Sequence, residues 1–452
     1  MKKITFSMLM FVAAMIMVSC SDDDDNNSEK RDVTWTAEQE ATINSLRQVD
    51  KGSGYVYEID YQADYQLDKV LAMNAKDLPS VIDNIKSVIL SDSKYDVISE
   101  AVNIFTQSTI DLLQQYYGGL GCSCFSTDAT GGGYILGRNY DYPPMNDHSI
   151  IVHTPQVKDA SGNVIRHATV GCADLAPLTT LLGYKRGYNN DQEKEFTLYS
   201  PYFILDGIND EGLMCGLMIL ECDGTFQDAD PNKLNLINAM LPRVILDKCT
   251  TVAQAVEMIK QYNVQTMFAM PNVFGTYTDM HYVIADAKGD KVVVEWVKNE
   301  IRVMRPGDAD LSDQDGYALA TNFYLSKTNL PASFVTERRN VKELGFWRYQ
   351  QMTEFLNEKD SFTPDEGMEM LRKIRIMQND PDALGFFDSM YYPTNVMKYG
   401  EDHTKWPEWN QKDKWPWITL WSEVYDTKTK SMMYCAREDY GNKYTFGLEY
   451  KR

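Results

Sequence analysis

The segment from Gly121 to Tyr142 constrains this chain more than any other. Gly121-Cys122-Ser123-Cys124-Phe125 precedes a turn-rich stretch from Asp128 to Gly133, and Tyr134-Ile135-Leu136 begins a return through Gly137-Arg138-Asn139-Tyr140-Asp141-Tyr142. Two such runs joined by a glycine-rich turn read as a β-hairpin, which predicts that Arg138 and Asp141 come back beside Cys122. If the bond between Gly121 and Cys122 breaks, Cys122 gains a free α-amine beside its thiol. The reference pKa of that amine, about 7.7–8.0, suits a general base near neutrality. An arginine lowers a thiol pKa and a carboxylate orients an amine. An ordinary ion pair at a strand end accounts for Arg138 and Asp141 equally well. Cys124, two positions on and on the same strand face, is a rival nucleophile. Gly121 favours Cys122, because it hinders an N-to-S acyl shift less than Ser123 does before Cys124.

The start of the chain predicts export. Lys2 and Lys3 precede an apolar run from Ile4 to Val18 that ends at Ser19-Cys20. The run is short for a membrane span and fits a signal at residues 1–19 with Cys20 as a lipidation point. Ser21-Asp22-Asp23-Asp24-Asp25 then makes residues 20–32 an acidic, flexible tether. The stretch resembles the export tag of surface lipoproteins in Bacteroides-like bacteria, which implies an exposed position on the outer membrane. A solvated leash explains it as well.

With 44% hydrophobic residues, 28 Tyr, 17 Phe and 8 Trp, the rest can bury a large core. The formal charge of −21 becomes two units more negative once Lys2 and Lys3 leave. That argues against nucleic acid as a partner and against anionic membrane surfaces. Eight cysteines show no paired CxxC spacing suited to zinc, and they are too sparse for a disulfide scaffold. The five histidines, at 148, 153, 167, 281 and 403, form no HExxH motif. His148 and His153 read as structural or as cleft-lining. No metal or other cofactor is implied.

Cys122 with Arg138 sixteen residues on and Asp141 nineteen on resembles the cysteine N-terminal-nucleophile (Ntn) hydrolases of the choloylglycine hydrolase and penicillin V acylase superfamily. The acid ceramidase and N-acylethanolamine acid amidase branch is the most similar. Three later stretches are similar in order: Asp206-Gly207-Ile208-Asn209-Asp210-Glu211-Gly212-Leu213, Asp286-Ala287-Lys288-Gly289-Asp290 before the strand Lys291 to Trp296, and Thr321-Asn322. The resemblance implies an α+β fold, an αββα sandwich of two antiparallel sheets between helical layers. It implies hydrolysis of linear amide C–N bonds, with Asn322 as an oxyanion donor. The second donor would be a backbone N–H near Met218, where bile salt hydrolases carry an asparagine. Arg338, or its neighbour Arg339, is the best match to a site arginine of that branch. Read without the resemblance, Asn322 is equally a loop cap, and Arg338-Arg339 a solvated basic pair.

Residues 33–121 show helical patterns at Thr36–Val49, Leu78–Leu90 and Val97–Tyr117, with a strand at Tyr55–Tyr61. They predict a mainly helical prosegment that stays bound to a catalytic domain at 122–452 after cleavage. Within that domain, Val252–Tyr262, Val341–Leu356 and Pro364–Ile374 read as amphipathic helices, and Thr419–Tyr425 with Lys430–Cys435 as a late hairpin. The tryptophans from 406 to 421 read as packing. The expectation is a self-processing amidohydrolase acting through a Cys122 thioester on small N-acyl amides with a lipophilic acyl group. A non-catalytic surface lipoprotein that binds glycan or peptide on the same fold is the alternative.

Overall fold

A computed structural model describes residues 35–50, 55–91, 121–142, 149–175, 188–222, 230–265, 277–297, 300–326, 344–376, 418–437 and 439–451. Helix α1 (Ala37–Ser45) starts at Thr36, whose hydroxyl accepts from the Gln39 N–H while the Gln39 side chain returns to the Thr36 N–H. Strands β1 (Arg47–Gln48) and β2 (Val56–Asp60) and helices α2 (Leu67–Ala72) and α3 (Leu78–Ile89) follow. The central hairpin is β3 (Gly121–Asp128) and β4 (Tyr134–Tyr142). Next come β5 (Ser149–Thr154), a short pair β6 (Val157–Lys158) and β7 (Val164–Arg166), β8 (Thr169–Asp174) and helix α4 (Asp191–Phe196). The middle of the chain forms β9 (Ile204–Asn209), β10 (Met214–Cys222), β11 (Leu234–Ile237), α5 (Leu241–Lys248), α6 (Val252–Ile259) and β12 (Tyr262–Gln265). It continues through β13 (Tyr277–Ala285), β14 (Lys291–Val297), β15 (Glu300–Met304) and β16 (Ala318–Ala320). Helices α7 (Leu344–Leu356) and α8 (Pro364–Lys373) precede the last strands, β17 (Ile418–Asp426), β18 (Ser431–Ala436) and β19 (Tyr444–Gly447).

Nine strands form one sheet in the order β1-β2-β5-β8-β9-β10-β13-β14-β15, and six form the other in the order β16-β3-β4-β17-β18-β19. Both are antiparallel except where β2 runs parallel to β5. The sheets stack face to face: Gly216 of β10 lies so close to β3 and β4 that an added Cβ would stand 2.9 Å from the Cys124 sulfur. Helix α5 packs on β9 and β10 outside the large sheet, and α7 and α8 pack on β3, β4 and β17 outside the small one. This is the αββα sandwich, and its apolar core runs continuously between the layers.

The N-terminal part departs from the predicted helical subunit. Leu46 ends α1 with a non-helical ψ of 123°, so residues 47–49 leave the predicted helix and Arg47 and Gln48 pair with β2. Strand β2 in turn extends the catalytic sheet along β5. Residues 33–121 and 122–452 are therefore not separate packing units among the described residues. The predicted helix at Val97–Tyr117 lies outside those residues, as do Cys20, His148, Arg338 and Arg339.

Candidate active site

The hairpin register sets Gly121 opposite Asp141, Cys122 opposite Tyr140 and Cys124 opposite Arg138. Side chains alternate across a strand, and Arg138 and Asp141 are three residues apart. They consequently occupy opposite faces of the small sheet: both return beside Cys122, Arg138 through its side chain and Asp141 through its N–H, and the alternative reading of an ion pair between them is not met, since their carboxylate and guanidinium partners lie elsewhere.

Arg138 shares the inter-sheet face with Cys122 and Cys124. Its Nη2 donates to Cys122 Sγ at 3.6 Å and its Nε to the Leu217 carbonyl at 2.9 Å. Its Nη1 meets Asp206 Oδ2 at 2.7 Å and Glu423 Oε1 at 3.2 Å, all three side chains being fully buried. Glu423 stands opposite Arg138 in the β4–β17 register. Burial, reinforced by the neighbouring Asp206 carboxylate, holds the Glu423 carboxyl well above the usual carboxylate range. Neither carboxylate was singled out as a site residue from sequence, although an acid inside Trp421-Ser422-Glu423-Val424-Tyr425 signals a buried partner.

On the other face Asp141 is boxed in. Its Oδ2 accepts from Arg348 Nη1 at 2.5 Å and its Oδ1 from the Thr419 hydroxyl at 2.5 Å. Arg348, on α7, also donates through Nη1 to Ser123 Oγ at 2.8 Å and through Nη2 to Asn322 Oδ1 at 2.7 Å. Asn322 Oδ1 accepts as well from the Cys122 backbone nitrogen at 2.7 Å, and Nδ2 donates to the Ile219 carbonyl at 2.7 Å. With two donors on one terminal atom and a carbonyl facing the other, the amide has one consistent orientation, which leaves its second N–H to be used. The nitrogen of Cys122 is thus met by Asn322, and Arg348 ties the Asp141 carboxylate to the same amide. Sequence reading did not single out Arg348; its signal was a basic residue inside an otherwise aromatic helical run, Phe346-Trp347-Arg348-Tyr349.

Cys122 and Cys124 are both buried, free thiols, yet their surroundings differ. Burial pushes the Cys122 thiol up, and the Arg138 guanidinium, Arg348 and the Asp141 N–H pull it back, against the Asp141 charge. Cys124 is pushed far higher by burial, with Arg138 opposed by Cys215, Asp206 and Glu423. Its sulfur also lies directly under Gly216 of β10.

Met218 is fully buried and stands opposite His281 in the β10–β13 register. Its neighbours Leu217 and Ile219 turn their carbonyls to Arg138 and Asn322. A strand residue sends its N–H and C=O to the same edge, so the backbone facing the site is that of residues 217 and 219. The N–H of Met218 lies on the β13 side, which corrects its expected role as the second oxyanion donor. His153 is also away from the site: its Nε2 meets Glu58 Oε1 at 2.9 Å where β5 adjoins β2. Trp421 packs on Tyr140 with ring centroids 4.3 Å apart.

Residues 122–339 match the model of the linear amide C–N hydrolases, choloylglycine hydrolase family. Similar solved structures include a mutant of the conjugated bile acid hydrolase from Clostridium perfringens. It is 14% identical, with 72% of this chain and 92% of that one covered, at a TM-score of 0.44. Penicillin V acylase from Agrobacterium tumefaciens is 15% identical over 70% of this chain and 83% of that one, at 0.40. The Caenorhabditis elegans ortholog of N-acylethanolamine-hydrolyzing acid amidase is 13% identical over 68% and 93%, at 0.34. Over residues 122–339 the chain matches the choloylglycine hydrolase family, and the protein is a linear amide C–N hydrolase.

Proposed function

We propose that the chain cleaves itself between Gly121 and Cys122 and then hydrolyses N-acyl amides through a Cys122 thioester. The observation that carries this reading is the double engagement of Cys122, its sulfur by Arg138 and its nitrogen by Asn322. Once freed, the α-amine takes the thiol proton and the sulfur attacks the amide carbonyl. The spare N–H of Asn322 and a backbone N–H of β10 hold the oxyanion, a type of contact worth about 3–4 kcal/mol when one donor is deleted. As the C–N bond breaks, the α-ammonium gives its proton to the departing amine. Water, deprotonated by the same amine, then attacks the thioester; the thiol leaves and the carboxylic acid is released.

The acyl group is lipophilic in this reading, as in a conjugated bile acid, an N-acyl amino acid or a fatty acid amide. Support comes from a separate apolar cluster of Leu220, Val297 and Tyr324, which starts next to Ile219 and two residues from Asn322. Lipidation at Cys20 would tether the enzyme to the outer membrane of the cell, facing outward, with the N-terminal fragment retained as a bound partner.

Intact mass and N-terminal sequencing of protein lacking the lipid signal test the first step. Wild type and Cys124→Ala are expected to yield a fragment starting at Cys122, and Cys122→Ala none. An uncut chain in all three overturns self-processing and brings forward a binding protein. Cleavage in Cys122→Ala overturns the role of Cys122. A panel of N-acyl amides graded by acyl length, assayed with the cleaved protein, then tests the substrate class.

A further inference from the structure

We infer that His281 and Glu295, a buried pair in the large sheet, are positioning residues for Asn322; this rests on the reading of Asn322 as an oxyanion donor. Tyr282 stands opposite Val294 in the β13–β14 register, so the next step brings His281 and Glu295 side by side. Both side chains are fully buried, with His281 Nδ1 3.4 Å from Glu295 Oε2. What they hold is the loop after β16. Glu295 Oε1 accepts from the Ser326 N–H at 2.6 Å and Oε2 from the Leu325 N–H at 3.3 Å. His281 Nε2 meets the carbonyl of Thr321, the residue immediately before Asn322. The pair therefore grips the loop on both sides of Asn322.

A buried carboxylate needs compensating donors, and here two of them are the Leu325 and Ser326 N–H groups of the loop after β16. The same loop is tied to α7 by the Thr321 hydroxyl, which donates to the Gly345 carbonyl at 2.8 Å. Asn322 is thus suspended between a grip from the large sheet and one from the helix that carries Arg348. A side chain that must stabilise a developing charge works only if its direction is set beforehand, and a misplacement of 1 Å costs on the order of 100-fold.

Neither residue touches Cys122 in the hydrogen bonds described, so the alkylation of Cys122 by iodoacetamide separates positioning from collapse of the site. The test uses the cleaved full-length enzyme and the amide from the panel that wild type turns over fastest. Glu295→Gln puts an NH2 group against the loop N–H groups and is expected to lower kcat roughly 10- to 100-fold, with KM and the alkylation rate within about threefold of wild type. Glu295→Asp, which keeps the carboxylate, should recover part of the loss. In an Asn322→Ala background the Glu295→Gln change should cost nothing further, since the group it positions is gone.

Multiplying losses in the double variant, or alkylation falling in parallel with kcat, overturns the inference. Full activity in Asn322→Ala overturns the oxyanion reading beneath it, and turnover of no amide by wild type overturns both. If Glu295→Gln does not fold, His281→Asn must show the same coupling to Asn322; a failure of both to fold assigns the pair to structure alone.

Discussion

Arg348 joins the hairpin to a distant loop: it holds Asp141 and Ser123 on one side, the Asn322 amide on the other, and through that amide the nitrogen of Cys122. A lysine at this position offers one ammonium in place of a fork and cannot hold Asp141 and Asn322 together. Arg348→Lys is expected to lower kcat by about 10–100-fold with a smaller change in KM, read from steady-state kinetics on the cleaved enzyme. Arg348→Met leaves the Asp141 carboxyl buried without its cation and should destabilise the fold by about 3–5 kcal/mol, measured by urea unfolding. Glu423 allows a prediction with a definite sign. Its carboxyl keeps its proton to higher pH in the folded chain than in the unfolded one, where it ionises near 4.3. The folded state therefore binds more protons between those two values, and this group's contribution to stability is lost as pH rises through them. Glu423→Gln, which resembles the neutral acid, should flatten that decline when thermal unfolding is followed from about pH 4.5 upward.

At the scale of elements, the central hairpin works because its two faces are kept separate. The inner face carries Cys122, Cys124 and Arg138 against β10, and the outer face carries Ser123 and Asp141 against α7. The inner contact is close enough to need glycine at position 216, where an added Cβ would also stand 3.4 Å from Arg138 Cδ. Gly216→Ala should cost about 1–3 kcal/mol by overpacking and push Arg138 away from the Cys122 sulfur. Slower alkylation of Cys122 together with a lower unfolding midpoint is the expected pair of results; unchanged alkylation would show that the sheets can part without moving Arg138. The hairpin itself was legible from its glycine turn and returning strand. The opposite placement of Arg138 and Asp141 was also legible in principle, since an odd spacing on a strand changes face.

For the whole molecule, the N-terminal part completes the edge of the catalytic sheet. Val56 and Ile59 are fully buried, Tyr61 donates to the Leu198 carbonyl at 2.8 Å, and Tyr65 donates to Asp247 at 2.6 Å. Residues 122–452 produced alone would expose the edge of β5 and this apolar surface, and edges of that kind aggregate. They are expected to be insoluble alone and soluble when residues 33–121 are co-expressed; solubility of 122–452 by itself would show that β2 is dispensable. The Glu58–His153 contact lies across this seam. Burial raises the Glu58 carboxyl, but His153 and Arg47 together bring it below its ordinary value. The stability it adds is present above about pH 4.5 and lost as pH falls through the folded value. The cleaved fragments should co-elute at neutral pH and separate more readily in acid, with Glu58→Gln reducing the difference.

By itself the sequence determined the central hairpin and the starts of α1, α3, α6 and α8, because hydrophobic period, turn residues and capping residues act over short stretches of chain; the αββα class and the place of Asn322 beside Cys122 were legible only through the family resemblance. Tertiary structure alone decided that Arg138 is held by Asp206 and Glu423, that Arg348 serves Asp141, and that β2 belongs to the catalytic sheet. Those outcomes rest on buried charges finding partners 68 to 285 residues away and on an open strand edge being covered. Local spacing carries no record of which distant element will meet those needs.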